Sequence, residues 1–182
     1  MIVSNHISQS DEDDFLMGNI VTRAQWGARP PKSAPSKLAE PVTYAFIHHS
    51  EGPSSTDLAS GKKVVQGIQN YHMDSNKWDD IGYSFLIGGD GSIFEGRGWG
   101  VVGAHTQNYN SAGYGICFLG SFTSALPTAA AMNAAKALIA DAVAKGHLKK
   151  AYQLKGHRQM GSTDCPGTKL YNEIKTWPQF VA

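Results

Sequence analysis

Cysteine is scarce in this chain: Cys117 and Cys165 are its only two among 182 residues. That excludes a disulfide framework of the kind that staples small secreted domains. If Cys165 serves a metal, Cys117 has no partner and no intramolecular disulfide can form. Charge of one sign is lacking too. The 16 Lys and Arg stand against 15 Asp and Glu, a formal net of +1 with His neutral. Such a balance offers no electrostatic grip on nucleic acid or on an anionic membrane. No apolar run approaches the ~20 residues that cross a bilayer, so membrane insertion is not expected. The first residues show no basic stretch followed by an apolar one, so no secretory signal is expected either.

What is present suits one domain of ordinary size, with 41% hydrophobic residues to build a core. Residues 1–19, with the acidic run Asp11-Glu12-Asp13-Asp14, read as a flexible, solvated extension. The ordered domain is expected over 20–182. Arg29 to Ser36 is a Pro- and Ser-rich connector. Val42 to His48 is β-rich, and a strand ending in His48 would hold that ring on a stiff support. Gly61 to Asp74 reads as helix, with Val64, Ile68 and Tyr71 on one face. Tyr83 to Gly88 and Ser92 to Glu95, joined by Gly89-Asp90-Gly91, predict a hairpin.

Tyr114 to Leu119 reads as a central strand, with Cys117 as a small core hydrophobe. A helix is expected over Thr128 to Lys145, capped by Thr128 and closed by Gly146, with Met132, Ala135, Ile139, Ala142 and Val143 inward. A short strand near Tyr152 to Lys155 and a last helix near Lys169 to Thr176 complete the order. The fold class is α/β: a single domain with a central mixed sheet flanked by about three main helices.

Two stretches carry chemistry. One is Gly156-His157-Arg158, with Cys165 eight positions after His157; the other is Phe46-Ile47-His48-His49-Ser50. Two imidazoles and a thiolate make three zinc ligands and leave the fourth position open, as in catalytic zinc sites. The residues leave other readings open. Cys165 could be a nucleophile with a His base, or an unrelated loop thiol near an exposed His. Neighbouring strand residues face opposite ways, so only one of His48 and His49 can look at a given metal. Tyr83 is readable as a core aromatic or as an oxyanion donor.

Several segments together resemble one family. They are Val21-Thr22-Arg23-Ala24-Gln25-Trp26-Gly27-Ala28-Arg29, Ile47-His48-His49-Ser50, Ile68-Gln69-Asn70-Tyr71-His72-Met73 and Asp80-Ile81-Gly82-Tyr83-Ser84-Phe85-Leu86-Ile87-Gly88. Glu95-Gly96-Arg97-Gly98-Trp99, Gly103-Ala104-His105, Gly156-His157-Arg158 and Trp177-Pro178-Gln179-Phe180 extend the match to the end of the chain. Together they resemble the peptidoglycan recognition proteins, which share a fold with zinc N-acetylmuramoyl-L-alanine amidases.

That resemblance implies Zn2+ on His48, His157 and Cys165, with Tyr83 and Thr163 as catalytic companions. The retained Cys165 favours a working amidase; members that only bind commonly carry Ser there. The implied reaction is hydrolysis of the amide between the muramic lactyl group and L-Ala, in immunity against bacteria. The runner-up is a non-catalytic peptidoglycan receptor. No carboxylate stands where the resemblance assigns a general base.

A peptide-stem groove lined by His49, His72, Trp78, His105 and Asn110 is implied as well. Lys77-Trp78 leans toward diaminopimelate-type peptidoglycan, although Ser111 stands where some members carry an Arg for that carboxylate. The positions of a short family disulfide fall on Ser55 and Gly61. Its loss leans toward a reducing, cytoplasmic setting, with secretion as the alternative.

Overall fold

Val42 to His49, eight residues long, is the spine of the molecule, paired in parallel on both edges. The computed structural model describes residues 20–182; the extension expected over residues 1–19 lies outside the described residues. In chain order the elements are β1 (Ile20–Val21), α1 (Arg23–Trp26), β2 (Val42–His49), α2 (Leu58–Asn70), β3 (Phe85–Ile87), β4 (Ile93–Glu95), β5 (Gly113–Phe118), α3 (Ala129–Ala144), β6 (Leu148–Gly156) and α4 (Thr168–Ile174). The sheet runs β1-β4-β3-β5-β2-β6. Among these described strands only the expected hairpin β3–β4 is antiparallel; the other strand pairings are parallel.

A parallel sheet must be covered on both faces, and this one is. On one face Ala45, Ile47, Phe85, Ile87, Ile116 and Phe118 pack against Ala135, Leu138 and Ile139 of α3 and Leu170 and Ile174 of α4. On the other, Leu86, Phe94, Cys117 and Leu119 meet Trp26 and Val65 from α1 and α2. Cys117 is fully buried, as its apolar neighbours suggested.

The caps are where local chemistry places them. Thr128 Oγ1 accepts from Ala131 N–H at 3.1 Å, and Gly146 follows α3 at φ +78°. Of the expected inner face of α3, Ala135, Ile139 and Ala142 are buried, joined by Ala131 and Leu138; Met132 and Val143 sit half-buried at its margins.

The first main helix departs from expectation. It starts earlier than Gly61, because Asp57 Oδ1 accepts from Ser60 N–H at 2.7 Å and caps Leu58 onward. It then widens into a π-turn over Tyr71–Ser75. The face the helix buries runs through Gly61, Val65, Gln69 and His72, one position on from the expected Val64, Ile68 and Tyr71, so Tyr71 is 61% exposed while His72 turns inside. The inner face of α2 is also more polar than its periodicity promised. Gln69 is 1% exposed and is held by the Arg29 carbonyl and Asp80 Oδ1, both at 2.9 Å.

Ser55 and Gly61 do stand together. A Cβ built on Gly61 would lie 3.5 Å from Ser55 Oγ and only 2.6 Å from Phe94 Cζ. Ser55 Oγ instead accepts from Gly89 N–H at 3.2 Å, and Gly61 lets α2 close on Phe94.

Candidate metal and substrate site

The parallel register delivers the ligands. Ile47 of β2 pairs with Gly156, the last residue of β6, so His157 emerges beside His48 with ring centroids 4.6 Å apart. Cys165, eight positions after His157, must then return across the loop, and Arg158 brings it back. Its backbone N–H donates to the Cys165 carbonyl at 2.8 Å, and its guanidinium donates to the Asp164 carbonyl while lying 4.8 Å over the Tyr171 ring. Thr163 Oγ1 accepts from Cys165 N–H at 3.2 Å, and the His49 N–H donates to Cys165 Sγ at 3.4 Å.

The result is a cluster of one ligand atom each from His48, His157 and Cys165, all within 4.8 Å of one another. His48 is 1% exposed and Cys165 7%, with His157 more open. The separation of His48 Nδ1 and Cys165 Sγ is 3.6 Å. Two ligands on a tetrahedral zinc, with bonds of about 2.0–2.3 Å, stand roughly that far apart.

Burial, then the neighbouring imidazoles His105, His157 and His49, hold His48 well below the usual histidine range. His157 is lowered by burial and by His49. Both rings are therefore neutral and keep a lone pair. Burial pushes the Cys165 thiol up to about 12, against which the His49 N–H works only in part. A cysteine nucleophile needs the opposite shift. A buried thiol between two neutral imidazoles fits a metal-ligand set, in which the cation itself draws off the proton.

Tyr83 overlooks this cluster, its ring 5.3 Å from that of His48. Burial, then the Cys117 and Cys165 sulfurs, raise its phenol well above the usual value, so it stays protonated and can donate.

Residues 38–168 match the family model described as N-acetylmuramoyl-L-alanine amidase. Peptidoglycan-recognition protein SC2 of Drosophila melanogaster is 50% identical over 163 residues, covering 90% of this chain and 88% of the relative. The chain belongs to this amidase family, among its peptidoglycan-recognition proteins. N-acetylmuramoyl-L-alanine amidase of Sus scrofa is 42% identical across 98% of this chain, which spans 30% of that longer protein. The crystal structure of peptidoglycan recognition protein-LE in complex with tracheal cytotoxin superposes with a TM-score of 0.89 at 44% identity, covering 90% of this chain and 96% of that one.

Within this peptidoglycan-recognition fold, the expected groove residues divide into two sets. His72 and Trp78 pack together beside Tyr83. His72 stands between Trp78 and Tyr83, at ring distances of 4.7 and 5.6 Å, and its Nδ1 accepts from Gly82 N–H at 2.9 Å. Burial, then Arg97, takes His72 down to about 4. Trp78 remains 36% exposed and presents an aromatic surface; Lys77 before it takes φ +61°, an uncommon conformation outside glycine. His105 lies 5.4 Å from His48, 8% exposed, and burial, then His157, depresses it to about 3.

His49 and Asn110 each accept hydrogen bonds from backbone N–H groups. The His49 ring turns to the far face of β2, where Nδ1 accepts from Phe122 N–H at 3.2 Å and Nε2 stands 3.3 Å from Glu51. Asn110 Oδ1 accepts from the N–H groups of His105 and Thr106 at 2.9 and 2.8 Å. Sequence reasoning missed Thr106 and Arg158 as parts of the site. Arg158 stands next to a named ligand and Thr106 next to His105, but only the folded chain shows what either one holds.

Proposed function

We propose that this protein is a zinc-dependent N-acetylmuramoyl-L-alanine amidase that binds peptidoglycan and hydrolyses the lactyl–L-Ala amide, serving innate immunity against bacteria. The observation that carries this reading is the convergence of His48, His157 and Cys165 within 4.8 Å, three donors suited to zinc. Zinc bound there supplies Lewis-acid polarisation of the scissile carbonyl and acidifies a water.

The chain's own groups do the rest. Tyr83, held protonated by burial, donates to the oxygen that gains charge in the transition state. Thr163 fixes the Cys165 backbone and so the thiolate's direction. Trp78 and His72 offer the wall against which the stem peptide lies. Diaminopimelate-type stems are the favoured substrate class, in line with the relative solved with a monomeric peptidoglycan of that type.

The test is release of free stem peptide from purified diaminopimelate-type peptidoglycan, with zinc, with chelator, and with zinc restored. Release that stops with chelation and returns with zinc supports the amidase. Fragment binding without release under any condition would make the protein a receptor.

A further inference from the structure

The Thr106 hydroxyl lies between two imidazoles: 3.2 Å from His48 Nε2 and 2.9 Å from His105 Nδ1. Thr106 is 1% exposed, and Asn110 Oδ1 pins its backbone N–H at 2.8 Å, so the hydroxyl can only turn in place. A hydroxyl has one proton to donate and lone pairs to accept. Between two neutral imidazoles it therefore allows two proton orders.

In the first order, His48 carries its proton on Nε2 and donates to Thr106 Oγ1, and the hydroxyl donates to His105 Nδ1. Nδ1 of His48, the nitrogen 3.6 Å from Cys165 Sγ, is then free to bind a metal. In the second order, His105 Nδ1–H donates to the hydroxyl, which donates to His48 Nε2. The His48 proton is then forced onto Nδ1, where a metal needs the lone pair. Only the first order is competent, and it also places the His105 proton on Nε2.

We infer that Thr106 is a positioning residue: its hydroxyl selects the metal-binding tautomer of His48 and couples it to the tautomer of His105. This rests on the zinc reading of the cluster, but the coupling between the two rings does not need the metal. Outer-sphere partners of this kind orient a ligating histidine and fix its tautomer.

The experiment uses the full chain with 15N-labelled histidine, metal-free and with zinc alone as the probe, as wild type, Thr106→Val and Thr106→Ser. In metal-free wild type, His48 and His105 should show matching tautomers, both Nε2–H or both Nδ1–H, and Thr106→Val should uncouple them. With zinc, both should be Nε2–H, with His48 bound through Nδ1. Zinc affinity, by competition with a chromophoric chelator, should fall about 10- to 100-fold in Thr106→Val. Thr106→Ser, which keeps the hydroxyl, should stay within about threefold of wild type by the same reasoning.

Amide spectra confirm that each variant is folded, and Thr106→Ser separates a lost hydroxyl from a lost shape. Opposite tautomers in metal-free wild type, zinc bound through His48 Nε2, or unchanged zinc affinity in folded Thr106→Val would each overturn the inference. A wild type that binds no zinc would end the amidase reading, while the metal-free tautomers would still decide the coupling.

Discussion

His48 and His49, neighbours on β2, turn their rings to opposite faces of one sheet. His48 faces Cys165 and His157, whereas His49 accepts from Phe122 N–H and stands by Glu51. Alternation along a strand makes this inescapable, and it separates two roles that the dipeptide holds together. His48→Ala should reduce zinc affinity by more than the roughly 10- to 100-fold of an outer-sphere change. His49→Ala should keep zinc affinity within a few-fold. It should instead lower stability by about 1–3 kcal/mol, the cost of leaving the buried Phe122 N–H unpaired. Zinc titration and urea unfolding of both variants check the division.

Cys165→Ser should abolish stem-peptide release while fragment binding and the fold survive, because Ser cannot supply the thiolate of this ligand set. Tyr83→Phe should behave differently. It keeps the ligands and removes one donor, so kcat should fall about 10²–10³-fold with zinc content unchanged. Metal analysis beside the release assay distinguishes the two. Full activity in Cys165→Ser would remove the cluster from the chemistry.

The buried imidazoles should make the metal-free chain sensitive to acid. Burial leads the depression of both His72, to about 4, and His105, to about 3. Above about pH 6.5 each ring is neutral folded and unfolded, and its stabilising share is complete. As pH falls from there toward 4, the unfolded chain takes up protons that the folded one refuses, so stability falls. Each such ring removes about 1.4 kcal/mol per pH unit within that window, so His72 alone accounts for up to about 3 kcal/mol by pH 4. Urea unfolding at pH 7 and 4.5 measures the loss, and His72→Gln should flatten it. A wild type equally stable at both values would show that these rings protonate as easily in the folded chain.

Asn110 is expected to line the groove, and its carboxamide oxygen caps the His105 and Thr106 N–H groups. Asn110→Ala should therefore destabilise the chain by about 1–3 kcal/mol for each N–H left unpaired. Asn110→Asp, which retains an acceptor at Oδ1, should recover most of that stability. If both variants unfold at the wild-type denaturant concentration yet lose fragment binding, Asn110 acts on ligand and not on the loop.

The sequence by itself determined the local features. Thr128 and Gly146 bracket α3, the β3–β4 hairpin follows Gly89-Asp90-Gly91, and the alternation of β2 requires one His of the pair to face each way. These depend on a residue and its near neighbours, so composition and spacing suffice to read them. The donor types at His48, His157 and Cys165 were legible too, as a chemistry without a geometry. Tertiary structure alone decided that His48 Nδ1 meets a sulfur 117 positions away. It also decided that the helix exposes Tyr71 and buries His72, and that Thr106 joins two imidazoles. Those facts follow from the pairing of β2 with β5 and β6 and from loops closed by Arg158 and Asn110. Contacts between distant segments leave no periodic trace in the chain that makes them.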